Sequence, residues 1–301
     1  MSLSILKSGF QDLIQDLGRF GYTHLGISPT GAADNLSLRM GNLLLGNDIN
    51  KAGMEITIFG GAYRFNKKTT IALCGSVFQS TINGNDIPFY KAVKIDKGQT
   101  LFVGPTTEGA RCYLTVEHGF DVPPLLESRS THLMAKAGGF DGCNLKKGDK
   151  LNFSDSNFKG TFNDIIFKID NDRSVLLVTK GLQYNLFDSS NRSLFFGEEF
   201  TVSHNSNRMG LRIHGPKIYK NTSNEILTEG LPLGAIQVPG NGNPIISFVD
   251  HQTTGGYPKI ANVIAADLHK VGQLKPGDKF MFKLVSLDEA EKLYFEQESL
   301  F

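Results

Sequence analysis

The stretch PGDKFMF (276–282) has two near-copies earlier in the chain, KGQTLFV (97–103) and KGDKLNF (147–153). Each sets a glycine turn before a run in which apolar and polar positions alternate, the period of a half-buried strand. Two readings are open. The three are similar hairpin turns, or the second and third copies each close a β-rich half. The polar run SDSNFKGTFND (154–164), which follows the second copy, has the composition of a linker and favours a division there. The expected subdomains are therefore residues 1–154 and 155–301.

The rest of the chain reads in the same way. Short runs at Glu55–Phe59, Thr70–Cys74, Gln99–Val103, Arg111–Val116, Val175–Thr179, Phe200–Ser203, Ala235–Val238, Ile245–Val249 and Phe280–Val285 are separated by turn signals. Such spacing points to barrels or sandwiches and away from a parallel α/β sheet. The expected class is mainly β, with few short helices. Two helices stand out. In DNLSLRMGNLLLGN, Leu36, Met40, Leu43 and Leu44 share one helical face, with Asp34 placed to cap the start and Gly46 to end it. In SLDEAEKLYFEQESL, Ser286 and Glu289 have capping-box spacing, and Leu287, Ala290, Leu293 and Tyr294 supply a stripe for packing on a sheet.

Composition excludes several classes. With 31 basic against 30 acidic residues among 301, and no basic stripe interleaved with aromatics, nucleic acid is not expected as a partner. No apolar run approaches the roughly 20 residues that span a bilayer, so no membrane contact is expected. The N-terminus MSLSILKSGFQDLIQD lacks a long apolar region and a cleavage site, which predicts no signal peptide. Cys74, Cys112 and Cys143 are an odd set without close pairing; this fits the cytoplasm and three small core residues. There is no phosphate-binding GxxxxGK[ST] loop, no HExxH, paired CxxC or EF-hand spacing, and no GxSxG elbow, so no metal site is expected. Any chemistry must come from residues gathered across the fold.

Four clusters offer them. QDLGRFGYTHLGISPTGAAD (15–34) carries Asp16 and Arg19 among four glycines; they form either a structural ion pair or the floor of a site. HGFDVPPLLESRSTHL (118–133) sets Arg129 among the hydroxyls of Ser128, Ser130 and Thr131. A guanidinium fork grips carboxylates bidentately, so an anionic substrate fits; pairing with Asp121 or Glu127 is the alternative. NRMGLRIHG (207–215) alternates Arg208, Arg212 and His214 with apolar residues, as a half-exposed strand does. HQTTGGYPK (251–259) follows an apolar run and Asp250. Gln252, Thr253 and Thr254 offer polar groups, and Gly255 and Gly256 allow close backbone approach or positive φ. Lys259 adds a charge, and Asp250 is either a general base or a turn former. A polar hairpin is the alternative for the whole stretch.

QDLGRFGYTHLGISPTGAAD, GFDVPP…SRST, NRMGLRIHG, GAIQVP and QTTGGYPK occur in one order from about residue 5 to the end. Together they resemble the family of the 5-oxoprolinase C subunit, also described as allophanate hydrolase subunit 2 or the biotin-dependent carboxyltransferase A/B-type domain. The chain departs from the family pattern at Ala33, at Glu127, where glycine is usual, and at Gly181-Leu182-Gln183. The resemblance implies two β-rich subdomains, the second a cyclophilin-like barrel. It implies one component of a cytoplasmic, ATP-dependent lactam hydrolase that opens 5-oxoproline to glutamate. Its partners would be a B subunit, related to allophanate hydrolase subunit 1, and a third, A subunit. ATP is then bound with the partner, and no biotin is attached to this chain. On this reading Arg129 holds the substrate carboxylate, Gly255, Gly256 and Lys259 cradle phosphate or the activated oxygen, and Asp250 or Tyr257 handles protons. Asp16 and Arg19 complete the floor, with Ser128, Ser130, Thr131, Gln252, Thr253 and Thr254 as further substrate contacts. A carboxyltransferase for urea or a related amide, and a regulatory subunit without chemistry, are the alternatives. All of these residues are expected to converge on one pocket.

Overall fold

The computed structural model describes residues 2–154, 170–221 and 226–301. The chain is mainly β and divides into two compact units, Met1–Arg19 with Thr30–Phe167, and Phe20–Pro29 with Lys168–Phe301. Residues 20–29, which the sequence reading keeps within 1–154, group with the second unit. Apart from Ser154, the expected linker lies outside the described residues.

The first unit contains a seven-stranded and a five-stranded sheet. The expected strands appear as Gly53–Thr57, Thr69–Gly75, Thr100–Thr106 and Arg111–Val116. The first, second and fourth are neighbours in the five-stranded sheet, where Arg111–Val116 is central and reads as a nearly continuous buried run. KGQTLFV and KGDKLNF both enter the seven-stranded sheet, as Thr100–Thr106 and Lys150–Phe153. Ile5, Met54, Ile56, Phe65, Leu73, Leu101, Leu114 and Phe153 belong to one buried cluster. Helix α1 (Asn35–Leu44) packs on this unit with Leu36, Met40 and Leu44 buried. Asp34 caps it by accepting from the Ser37 N–H at 2.9 Å, and Gly46, at φ 66°, follows its end.

Asp12 is an acid inside this core, 1% exposed. Its Oδ2 accepts from Gly9 N at 2.8 Å and from the Tyr63 hydroxyl at 2.9 Å. Burial pushes its carboxyl up to about 6, against the pull of both hydrogen bonds. The folded chain therefore holds a proton that the unfolded chain releases at about pH 4. Native proton binding exceeds unfolded binding between about pH 4 and 6, so Asp12 makes stability fall as pH rises through that window, by at most about 1.4 kcal/mol per pH unit. Asp12→Asn is expected to remove that component. Urea unfolding of both chains from pH 4 to 7 checks this; identical pH profiles would refute the assignment.

The second unit is a closed seven-stranded barrel. Around it run Val175–Lys180, Lys259–Val263, Ala235–Gln237, Ile245–Ser247, Gly210–His214, Phe200–Val202 and Lys279–Leu284, which returns to Val175–Lys180 through parallel pairing. PGDKFMF supplies that closing strand. Its Phe280 and Phe282 are buried, and Phe195 stacks on Phe282 at 4.5 Å. Phe195 comes from α2 (Ser189–Gly197), a helix absent from the sequence reading, as is α3 (Leu268–Gln273). Helix α4 (Leu287–Glu298) has the expected Ser286 cap, accepting from Glu289 N at 3.1 Å. Ala290 and Leu293 pack against Ile264, Ala266 and Val285, but Leu287 is 74% exposed and so leaves the expected stripe. Cys74 and Cys112 are core residues, as expected; Cys143 is exposed on a loop instead. No helix among the described residues is long and apolar enough to cross a membrane.

Candidate functional site

The expected site residues fall into two groups, one in each unit. In the first unit, residues 128–131 wrap around Asp16, which is 2% exposed. Asp16 Oδ1 accepts from Ser128 Oγ at 2.7 Å, Ser130 Oγ at 2.5 Å and Gly18 N at 2.9 Å. Its Oδ2 accepts from Arg129 N at 2.5 Å. The Arg19 guanidinium donates to the Ser130 carbonyl, and Thr131 Oγ1 donates to the Ile14 carbonyl at 2.9 Å. Gly139 closes the packing: a Cβ there would overlap Thr131 Oγ1. Ser128, Ser130 and Thr131 are 0% exposed. Asp16, Arg19 and these hydroxyls therefore hold the loop in shape, and the expectation that they contact substrate is revised, because Ser128 and Ser130 bind Asp16 while Arg19 and Thr131 bind backbone carbonyls.

Arg129 differs. It is half-buried, its Nε donates to the Val122 carbonyl at 3.0 Å, and it has no ion pair among the described residues. Pairing with Asp121 or Glu127 does not occur, and its terminal nitrogens are left for an anion.

Glu127 sits at φ 63°, directly after Leu126 at 50°. The left-handed region costs a residue with a Cβ about 1–2 kcal/mol, which gives the glycine usual at this place a physical reason. Glu127→Gly is expected to stabilise the chain modestly, by about 0.5 kcal/mol, since added freedom of the unfolded chain offsets part of the relief. An upward shift of the urea midpoint checks this; a downward shift would mean that the Glu127 side chain holds the loop by contacts.

In the second unit, HQTTGGYPK forms neither a hairpin nor a positive-φ nest. Thr254–Gly255 is a strand paired with Glu229–Gly230, and neither Gly255 nor Gly256 has positive φ. At Gly255 a Cβ would stand 2.6 Å from Gln237 Nε2, the end of a flexible side chain, so glycine there lets that amide lie against the ribbon without moving aside. Lys259, 3% exposed, ion-pairs with Glu229 at 2.5 Å. The hydrogen bond from Lys259 holds the Glu229 carboxyl below its ordinary range. Gln183 ties both residues in, donating to Glu229 at 2.7 Å and accepting from Lys259 N at 3.0 Å. The ammonium expected to face phosphate is thus matched by a carboxylate.

Asp250 is 2% exposed and gripped by Arg208, Nε to Oδ2 at 3.0 Å and Nη2 to Oδ1 at 3.3 Å. Both of its oxygens are engaged by a cation, which revises its expected role from general base to anchor of the segment that follows. The next residue, His251, is buried and bonded through Nδ1 to the Gln252 carbonyl at 2.7 Å; burial lowers its pKa.

That segment leads to a cleft of 510 Å³ on the barrel. Gln252 and Tyr257 line it, as do Arg212 and His214 from Gly210–His214, Gln237, and a set of asparagines that includes Asn205 and Asn207. Leu211 and Ile213 point into the barrel, so the alternation of NRMGLRIHG turns Arg212 and His214 outward. Thr253 and Thr254 stand on the adjoining ribbon, their hydroxyls without partners among the described residues. The sequence reading named Gln252 and Tyr257 but missed Gln237 and Arg212 as site residues. The signal available was the even positions of NRMGLRIHG, which carry Arg208, Arg212 and His214, together with the glutamine of GAIQVP. The asparagines come as two pairs from separate turns, Asn205 with Asn207 and Asn241 with Asn243.

The chain, with a closed barrel in one unit and two sheets in the other, is similar to known proteins. The profile of the carboxyltransferase domain, subdomain A and B, matches residues 25–284. The chain belongs to this family. It is 36% identical to the C subunit of 5-oxoprolinase from Haemophilus influenzae, over 97% of this chain and 94% of that one. The C subunit from Escherichia coli is also 36% identical, with 99% and 96% covered. Among solved structures, Kluyveromyces lactis urea carboxylase superposes with a TM-score of 0.91 at 32% identity, covering 99% of this chain and 28% of that one.

Proposed function

We propose that this carboxyltransferase-family chain is the C subunit of an ATP-dependent 5-oxoprolinase, which opens 5-oxoproline to glutamate together with its B and A subunits in the cytoplasm. The observation that carries the reading is the likeness to two proteins of that name along nearly the whole of both chains. The chemistry agrees with a shared task. Amide resonance makes a lactam carbonyl a poor electrophile, so ring opening asks for activation and for donors at the developing oxyanion.

The residues of the cleft do not fit ATP itself. Its lining has one arginine and no carboxylate to hold a magnesium ion, whereas a triphosphate asks for both. We therefore assign the nucleotide to the other components of the complex. The part left to this chain is to bind and orient the ring. The Gln237 and Gln252 amides are the groups for the ring amide, and the Tyr257 hydroxyl, 51% exposed at the rim, is the one for a proton. In the first unit, Arg129 is the residue with donors left for an anionic group.

The second reading, a carboxyltransferase for urea or a related amide, is favoured by the likeness to urea carboxylase. One reconstitution separates the two. With the B and A subunits added, phosphate release that depends on 5-oxoproline supports the first reading. Transfer of labelled carboxyl from a carboxybiotin carrier to urea, without such phosphate release, replaces it with the second.

A further inference from the structure

The cleft holds a cation without a counter-ion. Arg212 has no hydrogen-bond or ion-pair partner for its guanidinium among the described residues, and none of the cleft's lining residues is acidic. Its charge is thus left for a ligand, and a planar fork with no competing carboxylate selects an anion of matching shape. The same cleft is lined by the amides of Gln237, 8% exposed, and Gln252, which have no hydrogen-bond partners among the described residues. A primary amide presents one acceptor and two donors, the complement of a cis ring amide with its N–H and C=O on the same edge. Several other polar atoms of the cleft are already committed. Asn207 Oδ1 accepts from Met209 N at 2.9 Å, Asn243 Oδ1 accepts from Lys217 at 2.7 Å, and His214 Nε2 is bonded to Ser203 Oγ at 3.0 Å. Ile245, opposite Arg212 in the strand pairing, supplies an apolar wall, and the volume of 510 Å³ is in the range of small-molecule sites.

We infer that this cleft recognises a small ring amide or ureide bearing a carboxylate, with Arg212 gripping the carboxylate and Gln237 and Gln252 reading the ring edge. The choice of 5-oxoproline as probe rests on the function proposed above; the assignment of Arg212 does not. It moves the carboxylate contact expected of Arg129 to a different residue.

Methyl-labelled full-length chain, observed at Ile245 by NMR, tests this with L-5-oxoproline and with 2-pyrrolidinone, the same ring without its carboxylate. L-5-oxoproline is expected to shift the Ile245 methyl. Arg212→Met is expected to weaken its binding at least tenfold, with Arg212→Lys in between. On the wild-type chain 2-pyrrolidinone is expected to bind at least tenfold more weakly, and Arg212→Met is expected to leave its binding unaltered. Arg212 is exposed, so these variants spare the core. A silent Ile245, or equal affinity in wild type and Arg212→Met, overturns the inference. If the assembled complex still opens the lactam while Ile245 is silent, the cleft assignment fails and the proposed function stands. If Ile245 responds in the predicted pattern but no complex opens the lactam, the cleft stands and the proposed function fails.

Discussion

Replacing Arg208 with methionine is expected to lower the stability of the chain by about 3–5 kcal/mol, because it leaves the Asp250 carboxylate buried without its cation. The pair is 5% and 1% exposed at its side chains and is joined at two nitrogen–oxygen contacts, so water does not take over when the guanidinium is removed. The double variant Arg208→Met, Asp250→Leu is expected to regain most of the loss, since an apolar pair of similar bulk carries no desolvation cost. Chemical denaturation of the three chains measures both effects. A single variant as stable as wild type would mean that the carboxylate finds other donors. The consequence extends to the cleft: Asp250 anchors the segment that delivers Gln252 and Tyr257.

Asp16→Ala is expected to cost about 3–4 kcal/mol, the second large effect. The substitution strands Ser128 Oγ, Ser130 Oγ and two backbone N–H groups around a site 2% exposed, and each buried donor left unpaired costs on the order of 1–3 kcal/mol, of which relaxation recovers a part. Thermal and urea unfolding give the magnitude. Limited proteolysis between residues 118 and 133 locates it, since this is the loop that loses its centre. A variant that keeps both its midpoint and its resistance to cleavage would show that Asp16 is dispensable to the loop and is held for another purpose.

The two networks show what a sequence does and does not disclose. Strands such as Arg111–Val116 and Lys279–Leu284 were legible because side-chain period and turn residues are local properties. So was α1, whose cap and stop lie within its own fourteen residues DNLSLRMGNLLLGN. Helix α2, SSNRSLFFG, was not: three serines, an asparagine and a glycine in nine residues give weak propensity, and Phe195 makes the helix useful only through its stacking on Phe282. Helix α3, LHKVGQ, is short and buried on nearly all sides, so it has no amphipathic period. At the sites, residue types were legible and partners were not. Asp16 with the SRST segment, and Asp250 with Lys259, were visible as polar residues near glycines. That Ser128 and Ser130 spend their hydroxyls on Asp16, or that Lys259 spends its charge on Glu229, depends on pairings across 112, 114 and 30 positions. Arg212 read only as an outward position of a half-exposed strand for the opposite reason: what marks it is the lack of a partner, which only the fold displays.

If this chain acts as the C subunit, opening of the lactam of 5-oxoproline requires it. The most direct measurement is glutamate production, followed with phosphate release, by the B and A subunits with 5-oxoproline and ATP, in the presence and absence of this chain. The account predicts that glutamate and phosphate appear in step when the chain is present and that glutamate formation ceases when it is omitted. Glutamate formed at the same rate without the chain would contradict it.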